Sequence, residues 1–300
     1  MLMTNVTLKQ LRYFDALART GHFGRAAESS AISQPALSMQ IKDLEDVLGV
    51  QLFERSARQV RLTPIGEELR QRVQEILRAV DEIGDLARAA GDGLVGRLRM
   101  GVIPTIAPYL LPQVMQRLAF DHPGLDLYVR ETVTPKLIGE LREGRLDAAI
   151  LALPVSEPGL TEVALFQEDF VLLRPGVDRD APLPSKQGLR EMRLLLLEEG
   201  HCFRDQALSF CEIGTNRPRE MLDGSSLSTL VQMVNAGIGV TLLPEMALGV
   251  ETRSADVSVH RFHAPRPTRS VGMIWRSSTP LTTQLTQIAG IVREAAQQAA

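Results

Sequence analysis

Three runs of apolar residues, spaced by three or four positions, open the chain and predict three helices. The apolar positions are Leu11, Phe14, Leu17 and Ala18, then Phe23, Ala26 and Ala27, then Leu37, Ile41, Leu44 and Leu48. Ser33 is placed to cap the third helix, and Pro35 is tolerated in its first turn. From Val50 to Thr63 the apolar period shortens to alternation, which predicts a small hairpin, or wing.

A longer helix follows, from Pro64 to Ala90. Its apolar residues are separated alternately by four and three positions, which is the period of a coiled-coil seam. They are Leu69, Val73, Ile76, Val80, Ile83, Ala87 and Ala90. Because a lone helix would expose this stripe, we expect residues 64–90 to pair with a second copy of the chain as a homodimer. Packing of the stripe on its own domain is the alternative.

Strands and helices alternate after residue 96, which predicts a mostly parallel sheet flanked by helices. The predicted strands are 98–103, 125–131, 147–153, 170–174, 194–197, 240–243 and 271–275, and the predicted helices are 109–120, 135–143, 202–211, 227–235 and 281–295. We expect two lobes, the first formed by 97–168 and 269–300 and the second by 169–268. Small ligands usually bind in a cleft between such lobes.

Residues 91–96 spell GxGxxG, the letters of a dinucleotide-binding loop. Such a loop needs a strand before it and a helix after it, so that the pyrophosphate meets a helix N-terminus. Here the predicted helix precedes the glycines and the predicted strand follows them. We therefore interpret 91–96 as a hinge between the two halves of the chain.

Composition narrows the functional classes. The chain has 300 residues, 44% hydrophobic and 23% charged, which is typical of a globular protein with more than one domain. We expect a cytoplasmic protein, since neither an export signal nor a long apolar run is evident. The formal net charge is -3, so any nucleic-acid surface must be local. The chain has two cysteines, which suits a reducing compartment.

The polar residues of the third predicted helix favour DNA binding over a generic three-helix bundle, which is the alternative. Gln34, Ser38 and Lys42 share a face away from the apolar stripe, and such side chains reach base edges and phosphates in a major groove. Arg55, Arg58 and Arg61 make the predicted wing basic, which suits contact with phosphates or the minor groove.

The N-terminal motifs resemble the winged helix-turn-helix of LysR-type transcriptional regulators. The matching segments are 21–27 (GHFGRAA), 33–38 (SQPALS), 41–45 (IKDLE), 49–55 (GVQLFER) and 62–66 (LTPIG). The resemblance implies a mainly α DNA-binding head at 1–63, a dimerising linker helix at 64–90 and a two-lobed α/β effector domain at 97–300, similar to periplasmic binding proteins. It implies promoter DNA and RNA polymerase as partners, and dimers that pair into a homotetramer. The implied DNA contacts are Ser33, Gln34, Pro35, Ser38, Lys42, Arg55 and Arg58.

Cys202 and Cys211 lie nine residues apart in one predicted helix. Nine helical residues advance about 13.5 Å and turn about 900°, which places the thiols on opposite faces. A disulfide needs α-carbons about 5.5 Å apart, so the two could bridge only if the helix refolds. The predicted helix N-terminus, with His201 and Arg204 as nearby cations, favours a thiolate at Cys202. A buried, inert cysteine is the alternative.

Three further segments resemble the hydrogen peroxide sensing branch of the LysR group: 102–112 (VIPTIAPYLLP), 200–211 (GHCFRDQALSFC) and 239–244 (GVTLLP). The resemblance implies that Cys202 is the peroxidatic thiol and Cys211 the resolving one. It also implies that Thr105, Thr134, His201 and Arg269 hold the peroxide. Some relatives have a histidine where this chain has Met221, which changes the surroundings expected of the pocket.

The positions of Thr105 and Thr134 agree with this implication. Each follows a predicted strand and precedes a predicted helix, so both should lie at the carboxyl ends of the sheet, where ligands collect. Pro135 makes Thr134 a natural helix cap, which is its structural alternative.

The sequence therefore predicts a peroxide-responsive transcriptional activator without enzymatic turnover, cofactor or metal. The spacings of Cys202, Cys211, His201, His260 and His263 match no zinc pattern. A LysR-type regulator with silent cysteines, which senses a metabolite in the cleft between the lobes, is the main alternative. A thiol peroxidase or a solute-binding protein is a third.

Overall fold

The computed structural model describes residues 5–55, 60–89, 93–210 and 223–299. Cys211, Met221 and Arg58, the side chain of Arg55, and residues 91 and 92 of the predicted hinge lie outside the described residues. The chain divides into two compact units, Met1–Ala87 and Arg88–Ala300. Among the described residues, none of the helices combines the length and apolar character that a membrane span requires.

The first unit contains three short helices and a two-stranded wing. Its elements are α1 (Leu8–Thr20), α2 (Phe23–Ser29), α3 (Gln34–Leu48), β1 (Phe53–Arg55) and β2 (Val60–Leu62), and α4 (Pro64–Ala89) begins here. The predicted apolar faces form its core, where Phe14, Leu37 and Ile41 are fully buried. Ser33 caps α3 by accepting a hydrogen bond from the backbone nitrogen of Ala36, so the predicted cap is confirmed.

Glu45 joins the wing to α3, which the sequence did not predict. Its carboxylate is buried and accepts hydrogen bonds from the backbone nitrogens of Leu52, at 2.8 Å, and Phe53, at 3.1 Å. A buried carboxylate is costly unless such donors satisfy it, so this contact fixes where β1 begins relative to α3.

The apolar stripe of α4 has two parts. Val73 is 1% exposed and belongs to the core of the first unit, and Leu69 packs against that core. Further along, Ile76 is 46% exposed and Ile83 is 66% exposed. The first part of the stripe therefore packs on its own domain, while the second part is left without cover in the single chain.

The second unit has a mixed sheet with helices packed on it. In chain order its elements are β3 (Gly96–Val102), α5 (Ala107–Asp121), β4 (Leu125–Glu131), α6 (Thr134–Arg142), β5 (Ala148–Leu153), β6 (Leu160–Pro175), α7 (Lys186–Glu191), β7 (Leu196–Leu197), α8 (Cys202–Phe210), β8 (Asp223–Gly224), α9 (Leu227–Asn235), β9 (Thr241–Pro244), α10 (Leu248–Glu251), β10 (Val257–Arg261), β11 (Thr268–Arg276) and α11 (Thr282–Ala299).

The prediction of a mostly parallel sheet is wrong. The strand order is β10-β6-β11-β5-β3-β4, with β9 also pairing with β6, and only the pairings of β3 with β4 and β5 are parallel in this sheet. The 16-residue β6 and the nine-residue β11 are antiparallel neighbours. They are antiparallel because β6 runs from a first core to a second one and β11 returns to the first.

Two separate cores lie along these crossing strands. Leu165 of β6 belongs to the first core, with β3, β5, α5 and α11, whereas Phe170 of β6 belongs to the second, with α8 and α9. The limits of the two lobes at 168/169 and 268/269 stay a prediction. Cys202 packs against the first core although its helix packs on the second, so the cysteine lies where the two cores meet.

Candidate functional site

Three loops bring the predicted site residues into one small pocket beside Cys202. Each loop follows a strand of the second unit: β3, β4 and β7. The residues that line the pocket are Ile103, Pro104, Thr105, Val133, Thr134, His201, Cys202 and Phe203. In this structure the pocket is closed, with no room for a water-sized molecule. Thr105, Thr134, His201 and Cys202, all predicted as site residues, thus share one pocket.

Cys202 is the first residue of α8 and is partly buried. The backbone N–H groups in the first turn of a helix have no partner within the helix and carry partial positive charge. The sulfur therefore lies where negative charge is stabilised by the backbone. The helix is anchored behind it by Phe203, whose fully buried ring packs edge-on against Phe170 of β6, with 5.2 Å between ring centroids.

The expectation that His201 and Arg204 act as nearby cations for the thiolate gains no support from the surroundings of either residue. Burial lowers the pKa of His201, and the charge of Glu198 opposes that shift only in part, so the imidazole is neutral at pH 7. Arg204 donates to the carbonyl oxygen of Leu197 at 2.8 Å and forms an ion pair with Asp223. Its charge is therefore largely compensated by Asp223.

Thr134 does not cap α6, contrary to the alternative considered from the sequence. Val133 occupies the cap position without a side-chain hydrogen bond, and Thr134 is the first helical residue. The hydroxyl oxygen of Thr134 is buried, and it has no hydrogen-bond partner among the residues that the structure describes. A buried polar atom without a partner is uncommon and costly, which singles out this hydroxyl as a group that a ligand could satisfy.

Thr105 is also buried, but its oxygens are occupied. Arg269 donates from Nη1 to Thr105 Oγ1 at 2.8 Å and from Nη2 to the Thr105 carbonyl oxygen at 3.0 Å. Because Oγ1 accepts from the guanidinium, the hydroxyl proton of Thr105 can be donated in another direction. Arg269 does not line the pocket; it lies behind Thr105 and acts on the pocket through it.

Sequence reasoning missed Glu168, whose Oε2 accepts from Arg269 Nε at 2.7 Å. The two residues are cross-strand partners on β6 and β11. No strand was predicted over 160–169. The predicted lobe limits put residues 168 and 269 at the two crossings between lobes, but their pairing on adjacent strands was not predicted.

The predicted DNA-reading residues lie on the outer side of α3 and just before it. Ser33, Gln34, Pro35 and Lys42 are exposed and Ser38 is partly exposed, whereas Leu37, Ile41 and Leu44 face the core. The third helix, α3, therefore has an exposed polar face and a buried apolar face. Arg61 of β2 is also exposed.

Comparison with known protein families accounts for both units. Residues 8–67 match the bacterial regulatory helix-turn-helix proteins of the lysR family, and residues 91–297 match the LysR substrate binding domain. The chain belongs to the LysR family. This LysR-family chain is 44% identical over 294 residues to a probable hydrogen peroxide-inducible genes activator from Streptomyces viridosporus, with 96% of this chain and 94% of that protein covered. It is 38% identical to the DNA-binding transcriptional dual regulator OxyR of Escherichia coli K12, with 96% and 95% covered.

Solved structures of similar proteins include two OxyR variants. A full-length cysteine-to-aspartate variant of OxyR from Pseudomonas aeruginosa is 40% identical, with a TM-score of 0.75 and 96% and 95% of the chains covered. A cysteine-to-serine variant of OxyR from Corynebacterium glutamicum with H2O2 bound is 37% identical, with a TM-score of 0.66 and 98% and 93% covered.

Proposed function

We propose that this LysR-family protein is a DNA-binding transcriptional regulator that responds to hydrogen peroxide through Cys202 and Cys211. One observation carries the proposal: the Cys202 thiol lines the same small pocket as the Thr105 and Thr134 hydroxyls, one of which is buried without a partner. The similarity to hydrogen peroxide-inducible genes activators and to an OxyR with H2O2 bound supports it.

The polar groups around Cys202 suit the hydrogen bonding of peroxide. H2O2 has two protons to donate and four lone pairs to accept with. Thr134 Oγ1 is unsatisfied, Thr105 can donate its hydroxyl proton, and the neutral His201 has one ring nitrogen able to accept. These groups would hold peroxide with one oxygen toward the sulfur at the N-terminus of α8.

The proposed chemistry is a two-electron oxidation of Cys202. The thiolate attacks one oxygen of H2O2, an S–O bond forms, the O–O bond breaks, and the second oxygen leaves as hydroxide, which takes up a proton to become water. Cys202 is then a sulfenic acid. The thiol of Cys211 attacks that sulfur, an S–S bond forms and water leaves. Cellular thiols reduce the disulfide later, so the protein is a switch and not an enzyme with turnover.

Disulfide formation would require α8 to unfold at least in part. The described part of α8 is continuous from Cys202 to Phe210, and its inner face is buried in the second core through Phe203, Ala207 and Leu208. A bridge from its first residue to the residue after its last cannot form within a regular helix. Oxidation would therefore remove part of the second core, and this rearrangement is the signal that we propose reaches the DNA-binding unit.

The proposed DNA contacts are Ser33, Gln34, Pro35, Ser38 and Lys42 at α3, with Arg55 and Arg58 at the wing. The exposed part of the α4 stripe supports a homodimer formed through residues 64–90, because apolar residues at coiled-coil spacing are typically buried against a second helix. We further propose a homotetramer of such dimers, promoter DNA and RNA polymerase as partners, and a cytoplasmic location.

The same pocket does not support the alternative in which the protein senses a metabolite. Sites for small molecules of that class usually enclose about 300–1,000 Å³. The pocket beside Cys202 has no room for such a ligand, because in this structure it is closed even to a water-sized molecule. Peroxide, with two heavy atoms, would need a much smaller opening of the pocket than a metabolite.

The experiment that tests the proposal treats the reduced protein with H2O2 and maps its peptides by mass spectrometry without reduction. We expect a Cys202–Cys211 link in the wild type. Cys211→Ser should stop at the sulfenic acid of Cys202, and Cys202→Ser should show neither product. Transcription from a bound promoter should respond to peroxide only in the wild type. A full transcriptional response in Cys202→Ser would refute the proposal.

A further inference from the structure

Glu168 and Arg269 form a buried ion pair at the point where the chain crosses between the two cores. The residues face each other on β6 and β11, and Arg269 Nε donates to Glu168 Oε2 at 2.7 Å. Their side chains are 5% and 0% exposed. Two charges removed from water in this way are costly unless their remaining hydrogen-bonding atoms are also satisfied.

The surrounding structure satisfies both groups. The second oxygen of Glu168, Oε1, accepts from the backbone nitrogen of Met246 at 2.9 Å, just after β9. All three nitrogens of Arg269 donate, one to Glu168 and two to Thr105, and the guanidinium carbon lies 5.8 Å from the centre of the Phe170 ring. The carboxylate is held from two directions, and it fixes the plane and rotation of the guanidinium.

The orientation of the Arg269 guanidinium affects the pocket through Thr105. Arg269 Nη1 donates to Thr105 Oγ1, which restricts the rotation of this hydroxyl group. The hydroxyl proton then points away from Arg269 and is available to a group in the pocket. In the proposed oxidation of Cys202 the departing oxygen of peroxide gains negative charge as the O–O bond breaks. A hydroxyl already turned to donate would stabilise that charge without reorganising during the reaction.

We infer that Glu168 is a positioning residue for the oxidation of Cys202 by peroxide, acting through Arg269 and Thr105. The inference rests on the proposed function, since it concerns the rate of that reaction. Glu168 touches neither the peroxide nor the sulfur. It sets the rate by holding Arg269 where Thr105 is oriented as a donor.

The test compares Glu168→Gln and Glu168→Asp in the full chain, each with Cys211→Ser so that oxidation stops at the sulfenic acid. Two rates are measured for Cys202: oxidation by H2O2, followed with a sulfenic acid probe, and alkylation by iodoacetamide, which needs no departing oxygen to be stabilised. Glu168→Gln keeps the shape but loses the charge that aligns the guanidinium. We expect its peroxide rate constant to fall about ten- to a hundredfold, the size of effect that a small misplacement causes. Its alkylation rate should stay unchanged.

Glu168→Asp retains the charge, and its peroxide rate should lie above that of Glu168→Gln. The matched control is Asp147→Asn. Asp147 is 1% exposed and pairs with Arg99 at 2.7 Å, at the amino end of β5 and away from the pocket. We expect Asp147→Asn to lose stability while keeping the peroxide rate.

Three results would overturn the inference: a wild-type peroxide rate in Glu168→Gln, an equal fall in Asp147→Asn, or a parallel loss of alkylation. Failure of the proposed function itself is distinguishable. In that case the wild-type Cys202 would react with H2O2 no faster than free cysteine, whereas failure of the inference alone leaves a fast wild type and a fast Glu168→Gln.

Discussion

Replacement of Thr134 by valine tests two effects of its hydroxyl group. One is the free energy that burial of the hydroxyl costs in folding, and the other is its proposed hydrogen bond to peroxide in the pocket. The hydroxyl oxygen is buried without a partner among the described residues. Burying an unpaired hydroxyl costs about 1–3 kcal/mol by mutational measurements, and valine has nearly the same shape. Thr134→Val should therefore raise the free energy of unfolding, by about 1 kcal/mol.

The same change should slow oxidation of Cys202. Loss of one hydrogen bond to peroxide, of about 1.4 kcal/mol in the transition state, corresponds to a tenfold lower rate constant. The assays are urea unfolding of the reduced protein and the rate of sulfenic acid formation at a series of H2O2 concentrations.

Thr105→Val is the matched control, because Thr105 Oγ1 accepts from the charged Arg269. Leaving that donor without its acceptor should lower the free energy of unfolding by about 1.5–3 kcal/mol. The two threonine variants should thus shift stability in opposite directions while both slow the oxidation. A Thr134→Val protein that is less stable than the wild type and is oxidised at the wild-type rate would refute the reasoning.

Three further outcomes are expected. Ile83→Glu should give monomers in analytical ultracentrifugation. Because Ile83 is 66% exposed, the unfolding free energy of the single chain should change by no more than about 0.5 kcal/mol. The control, Arg78→Glu on another face of α4, should stay dimeric. Glu45→Ala should lower stability by about 2–4 kcal/mol and weaken promoter binding in a gel-shift assay, because two backbone donors of the wing lose their acceptor; normal DNA affinity would contradict this. Because the pKa of His201 is lowered on folding, its contribution to stability is present above pH 6.5 and is lost as pH falls below that value. His201→Gln should remove this part of the pH dependence, measured by urea unfolding from pH 5 to 8, and identical pH profiles would exclude it.

Cys202, the cysteine that we propose reacts with peroxide, lies where the two cores meet. Cys202 packs against the first core, while Phe203 beside it is buried in the second. Glu168, Arg269 and Thr105 form a continuous set of hydrogen bonds from the crossing strands to the pocket. We therefore expect a rearrangement of α8 to affect residues beside both cores.

Elements whose signals lie within a few neighbouring residues could be predicted before the structure. The apolar faces of α1 to α3, the Ser33 cap and most of the helices and strands follow from spacing within a few residues, and the structure contains them. The short elements α7, α10, β8 and β10 were not predicted. The placement of Thr105, Thr134, His201 and Cys202 at strand ends was also predictable, because such positions follow from the alternation of strand and helix.

Features that depend on contacts between distant segments could not be predicted and are seen first in the folded chain. The length and direction of β6, the pairing of Glu168 with Arg269 and the unpartnered hydroxyl of Thr134 arise from strands and loops far apart in the chain. The charge of His201 likewise depends on burial by neighbours that no local pattern names. Local spacing encodes which face of an element is apolar, but the partner of a buried polar group is fixed only when separate segments pack together.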